Sequence, residues 1–152
     1  MNITREADYA IRVIANLSLT EEGERVSAST LAEEETIPQQ FLLKILRKLR
    51  KQGIIKSYMG VKGGYILNKK PGDITFKDVI EAIDGPIYIN ACLYDRTECN
   101  RYPINCIVHK KLKVVQQGLV EDLESINFKN LFEEADPNPV PDCLDLDKIL
   151  NA

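Results

Sequence analysis

Between Pro38 and Lys70 the chain has no Asp or Glu, yet it carries Lys44, Arg47, Lys48, Arg50, Lys51, Lys56, Lys62, Lys69 and Lys70. The block is patterned as well as basic. Phe41, Leu42, Ile45, Leu46 and Leu49 recur at helical spacing and form one apolar face, while Lys44, Arg47, Lys48 and Lys51 fall largely on the other side. Pro38 suits the first turn of this helix, where its missing N–H would have no helical partner; Gly53 ends it. Just upstream, Ser27 is placed to cap a short helix through Leu31 and Ala32. A short helix, a tight turn and a second helix with a basic exposed face make a helix-turn-helix pattern.

In such a unit the second helix enters the major groove of DNA and its N-terminal residues reach base edges. Gln39, Gln40 and Lys44 occupy those places here. Glutamine can pair with adenine through two hydrogen bonds, whereas Arg47 and Lys48 are suited to phosphates and Lys51 lies on the same face. The next stretch, IIKSYMGVKGGYIL, puts β-forming residues at Ile54–Tyr58 and Gly64–Leu67 around Gly60, Gly63 and Gly64. It reads as a hairpin with a tight reversal, and Lys62 at its tip is placed for an adjacent minor groove. A nucleotide-binding glycine loop is the rival reading, but it needs a Gly-Lys-Ser/Thr ending and a following helix, and the segment has neither.

Composition matters because the net charge of −3 disguises this surface. After Leu119 nine acids face only Lys129 and Lys148, so the cations are concentrated rather than absent. A solvated lysine face is the plain alternative from charge alone. No apolar run approaches the roughly 20 residues of a membrane span. The opening MNITREADYAIR interrupts any secretory signal, so a cytoplasmic chain with reduced thiols is expected.

Around this block, Thr4 is placed to cap a first helix whose inner face is Ala7, Ala10, Ile11, Ile14 and Leu17. Thr75 and Asp78 form a capping-box pair ahead of Phe76, Val79, Ile80 and Ile83, and Gly85-Pro86 stops that helix. Later, Ile104, Val108, Leu112, Val115, Leu119 and Leu123 make a long apolar stripe running to about Ile126. Pairing with a second copy would cover it and give two recognition helices for two half-sites; folding back onto the N-terminal core is the alternative. The expected fold is mainly α with a small β-hairpin wing. It divides into a winged helix-turn-helix domain (1–85), a cysteine-rich loop (86–103), a long dimerisation helix region (104–132) and an acidic, proline-containing tail (133–152).

The segment CLYDRTECNRYPINCIVH holds Cys92, Cys99, Cys106 and the only histidine, His109. In a reducing compartment such a cluster indicates a metal site or redox sensor rather than disulfides. Cys143 stands apart in the tail and reads as an incidental thiol. His109 follows Cys106 by about one helical turn, so both can project toward one point. Zinc on three cysteines and a histidine is chemically allowed, but six-residue gaps lack the two-residue knuckle common in structural zinc sites.

Together these pieces resemble the winged-helix regulator family containing IscR, NsrR and CymR. The resemblance spans about residues 1–132 and rests on EADYAIRV, LLKILRKLRKQGII, GVKGGYIL and ITFKDVIEAIDGP. Met59 is a departure, since many members have an arginine there. The resemblance implies a dimer that binds double-stranded operator DNA and usually represses. It also implies an iron–sulfur cluster on Cys92, Cys99 and Cys106. With His109 as fourth ligand the cluster is 2Fe–2S, the preferred form; Asp8 from the partner subunit is the rival and implies 4Fe–4S. Asp8 also has an ordinary role in the first turn of a helix. Members such as CymR carry no cluster, so a cluster-free thiol- or zinc-responsive regulator is the alternative. An enzyme or electron carrier is disfavoured: there is no Ser-His-Asp set, and the basic helix and hairpin would be left without a role.

Overall fold

The computed structural model describes residues 3–99 and 105–133. Helix α1 (Arg5–Leu19) begins where expected, because the Thr4 hydroxyl accepts a hydrogen bond from the Ala7 N–H at 3.2 Å. The same hydroxyl donates to Asp84 at 2.7 Å, tying the start of α1 to the end of a later helix, α4 (Phe76–Asp84). Ala7, Ala10, Val13, Ile14 and Leu17 are buried along α1, and Ile11 packs at the margin of the core. Helix α2 (Ala28–Glu34) starts on the Ser27 cap, and α3 (Gln39–Lys51) starts at Pro38. Between them Ile37 is buried, and its N–H donates to the Ala32 carbonyl at 2.9 Å, which fixes the angle of the turn.

Leu42, Ile45, Leu46 and Leu49 on α3 interlock with α1 and α4 to form the core. Complete burial of four aliphatic side chains, each contributing roughly 1.5–3 kcal/mol, makes α3 a rigid mount for whatever its outer face carries. Strands β1 (Ile55–Tyr58) and β2 (Gly64–Leu67) pair antiparallel, with Ile55 opposite Leu67 and Tyr58 opposite Gly64. The hairpin is joined to the segment before α2: Val26 exchanges two backbone hydrogen bonds with Tyr65, at 3.1 and 2.8 Å. Val26 is a single bridge with no strand-length pattern around it, which is why the sequence did not announce it.

Helix α4 carries the expected capping box, with Asp78 N–H donating to the Thr75 hydroxyl and Thr75 N–H donating to the Asp78 carboxylate. Up to Cys99 the ligand-rich stretch is more regular than a plain loop. It forms a short helix α5 (Ala91–Tyr94) and a 3-10 turn at Arg96–Glu98. The long helix α6 (Ile107–Ser125) comes next, then α7 (Asn130–Glu133).

Phe128 lies beyond the end of α6, yet it is fully buried in the core of the N-terminal domain. Its ring packs at 5.3 Å from that of Phe76, and its N–H reaches the carbonyls of Pro71 and Ile74. The core therefore extends past the sequence-based boundary at residue 85. Acidic-tail residues from 134 onward, including Cys143, lie outside the described residues, as does Ile104. Among the described residues no helix is long and apolar enough to cross a membrane.

Candidate DNA-binding face and thiol site

The core holds α3 by one side, so Gln39, Gln40, Lys44, Arg47, Arg50 and Lys51 stand exposed on the other. Lys48 behaves differently from the sequence-based expectation of a phosphate contact. It is half-buried, its ammonium lies 2.9 Å from Glu6, and it donates to the Ile83 carbonyl at 3.0 Å. The Lys44 ammonium also reaches Glu6, at 3.2 Å. Glu6 is thus a shared counter-ion; it stands two residues after the Thr4 cap, and nothing in the local sequence pattern marks it as facing the two lysines. Burial pushes its carboxyl pKa up, and the contacts and charges of Lys48 and Lys44 together pull it further down, leaving it below the usual value.

The wing stands next to this helix. Lys56 and Lys62 are exposed, and the Arg50 guanidinium donates to the Ser57 hydroxyl at 3.1 Å, linking α3 to β1. Arg25 lies 3.9 Å above the Tyr58 ring and donates to the Lys62 carbonyl at 3.1 Å. It precedes the basic block in sequence, so charge counting alone did not single it out. The tight reversal requires its glycines: Gly60 has φ +98°, and a Cβ on Gly63 would stand 2.4 Å from the Tyr58 carbonyl oxygen.

In the thiol segment, Asn90 caps α5 and accepts from the Cys92 N–H at 3.3 Å. The Cys92 Sγ then lies 3.5 Å from His109 Nδ1 on α6. Ile89 N–H donates to the Gln116 side chain at 3.1 Å, a second tie between the segment and α6. Asp95 accepts from the Thr97 hydroxyl and N–H, which lowers its carboxyl pKa and shapes the turn before Cys99. Cys92, Cys99 and Cys106 are free, half-buried thiols, and Cys106 sits at the N-cap of α6. His109 therefore meets Cys92 across the loop. Among the described residues no three His, Cys, Asp or Glu side chains converge as a metal-binding group. Asp8, the rival donor, is ion-paired with Arg12 at 2.9 Å.

Helix α6 divides its apolar residues. Leu112, Leu119 and Leu123 are half-buried on the side shared with Gln116, which reaches toward Ile89, whereas Ile107, Val108, Val114 and Val115 are exposed. One edge of the stripe thus lies against its own chain, and the other is uncovered.

A buried helix-turn-helix, an outward basic face and a braced hairpin define a winged-helix DNA-binding protein. Solved structures share this fold: CymR, the global cysteine regulator of B. subtilis, aligns with a TM-score of 0.74 and 23% identity, over 90% of this chain and 99% of that one. The family model for Rrf2, an iron-dependent transcriptional regulator, matches residues 3–134, and the chain belongs to that family of transcriptional regulators. An HTH-type transcriptional regulator of Aquifex aeolicus is 32% identical over 133 residues, covering 82% of this chain and 92% of the relative. IscR of Vibrio atlanticus is 25% identical over 151 residues, covering 99% and 86%.

Proposed function

We propose that this chain is a homodimeric repressor of transcription, acting on operator DNA, whose affinity is set by an iron–sulfur cluster on Cys92, Cys99 and Cys106 with His109 as fourth ligand. The carrying observation is the 3.5 Å approach of Cys92 Sγ to His109 Nδ1, which joins the loop to the head of α6. Three free thiols and one imidazole suit a soft metal centre. His109 is preferred to Asp8 because it already touches a thiol, whereas Asp8 is neutralised by Arg12. When bound, the cluster supplies redox and nitric-oxide sensitivity. The chain's own residues do the rest: Asn90 caps α5, Gln116 holds Ile89 to α6, and the apolar edge of α6 that includes Val108 and Val115 meets its copy in the partner.

On DNA, Gln39, Gln40 and Lys44 address base edges. Arg47, Lys51 and Lys62 address phosphates, while Lys48 reinforces the mount of the helix. A second reading, direct thiol sensing without metal, draws on the same three half-buried free thiols. Its reactive element would be the Cys92–His109 pair, with zinc as a further variant.

The test is anaerobic purification with absorption spectra, iron, sulfide and zinc analysis, and operator affinity for holo and apo protein. A cluster spectrum altered by His109→Ala but not by Asp8→Ala is expected, with different affinities for the two forms. Protein that remains iron-free after reconstitution yet loses operator binding with peroxide supports the thiol reading. Equal holo and apo affinities refute the switch.

A further inference from the structure

The wing tip presents apolar side chains where a basic surface would be expected to present only charge. Met59 is 94% exposed and Val61 is 108% exposed, the two highest values among the large hydrophobic residues described. They flank Gly60 in a turn closed by the Gly63 N–H donating to the Gly60 carbonyl at 2.9 Å. This turn is braced from two sides. Arg25 covers Tyr58 and holds the Lys62 carbonyl, and Arg50 ties Ser57 to the recognition helix. Neither apolar side chain contributes burial to its own fold, so the bracing holds them out toward something else.

We propose that Met59 and Val61 form an apolar probe that enters the minor groove beside the recognition helix, packing on deoxyribose walls and the edges of a base step. This inference rests on the DNA-regulator reading and deepens it. Three observations favour DNA as the occupant. The tip is continuous with the exposed face of α3 through the Arg50–Ser57 contact. Lys62 in the turn and Arg25 against it bring positive charge to the tip. The minor groove, about 6 Å wide, admits a narrow turn but no helix. Methionine and other apolar side chains serve as minor-groove wedges in DNA-bending proteins, at steps that unstack easily. Apolar packing releases no counterions, so this contact selects deformable steps such as TA or CA without steepening the salt dependence.

The test uses the full chain, purified anaerobically, and duplexes selected by the wild-type protein from a randomised pool. Affinity is measured across a salt series for wild type, the Met59→Ser/Val61→Ser double variant and Lys62→Ala. The expected result is a loss of about tenfold for the double variant with an unchanged salt slope, whereas Lys62→Ala lowers the slope by about 0.9. Hydroxyl-radical protection of minor-groove sugars should vanish in the double variant while protection of guanine N7 in the major groove persists. A loss under about threefold, a loss accompanied by a shallower slope, or an unchanged sugar footprint overturns the proposal. Wild-type protein that selects no duplex refutes the DNA reading itself, a result distinct from a wild type that binds and a double variant that binds equally well.

Discussion

The two ends of the molecule are built on different principles. The winged domain is closed: α1, α3 and α4 bury their apolar faces in one core that also takes in Phe128, and α1, α2 and α4 start on caps at Thr4, Ser27 and Thr75. The thiol segment and α6 have no fully buried residue in α5 or α6, and they leave four aliphatic side chains of α6 exposed. A closed core can hold a recognition helix still, whereas a segment with little buried apolar contact opens at lower cost, because local stability tracks such contact.

The largest effect should come from removing the link between these regions. Phe128→Ala should cost about 3–5 kcal/mol by leaving a cavity beside Phe76. Urea unfolding reads this directly, and a loss below about 1 kcal/mol would show that the winged domain is independent of the residues beyond α6. Next, Val115→Glu should weaken self-association on the order of 100-fold, because dimerisation would bury an unpaired carboxylate. Sedimentation shows whether the variant is a monomer; a variant that dimerises normally places the contact elsewhere.

A pair of substitutions sharpens the comparison within α3. Lys51→Ala should reduce the salt slope of DNA binding by roughly 0.9 with little change in stability. Lys48→Ala should leave the slope nearly intact but cost about 1–3 kcal/mol, since it strips a cation from half-buried Glu6. Equal slope reductions would return Lys48 to the DNA face.

The smallest effect concerns pH. Glu6 has a lowered pKa in the folded chain, so its contribution is fully present above its ordinary value and is lost as pH falls through the lowered one. Glu6→Gln should therefore flatten the acid limb of stability against pH. A limb of unchanged steepness would assign the acid sensitivity to other carboxylates.

The same contrast explains what could be read from the sequence. Caps at Thr4, Ser27 and Thr75, the α3 apolar face and the wing glycines were legible because each arises from local chemistry over a few residues. Phe128 was not, since a lone aromatic after a long helix carries no period and its partner Phe76 lies far away in sequence. Val26 and Arg25 escaped for the same reason: each acts across to the hairpin rather than along its own segment. The pairing of Lys48 with Glu6 was not legible either, because a charge pattern gives the face of a lysine but not its counter-ion. In the thiol site the donor types were visible, whereas the meeting of Cys92 with His109 depends on how α5 lies on α6.

The anchoring of Phe128 also turns α6 into a lever with a fixed fulcrum. Its 19 residues span about 28 Å at 1.5 Å per residue, with the sulfur-bearing end far from the pivot. A displacement of 1 Å at that end would rotate the axis by only about 2°. Such gearing sets a scale for any signal from the thiols: sub-ångström adjustments there would hardly tilt a single chain. Two levers leaning on one another would have to share the motion before a recognition helix could change its spacing.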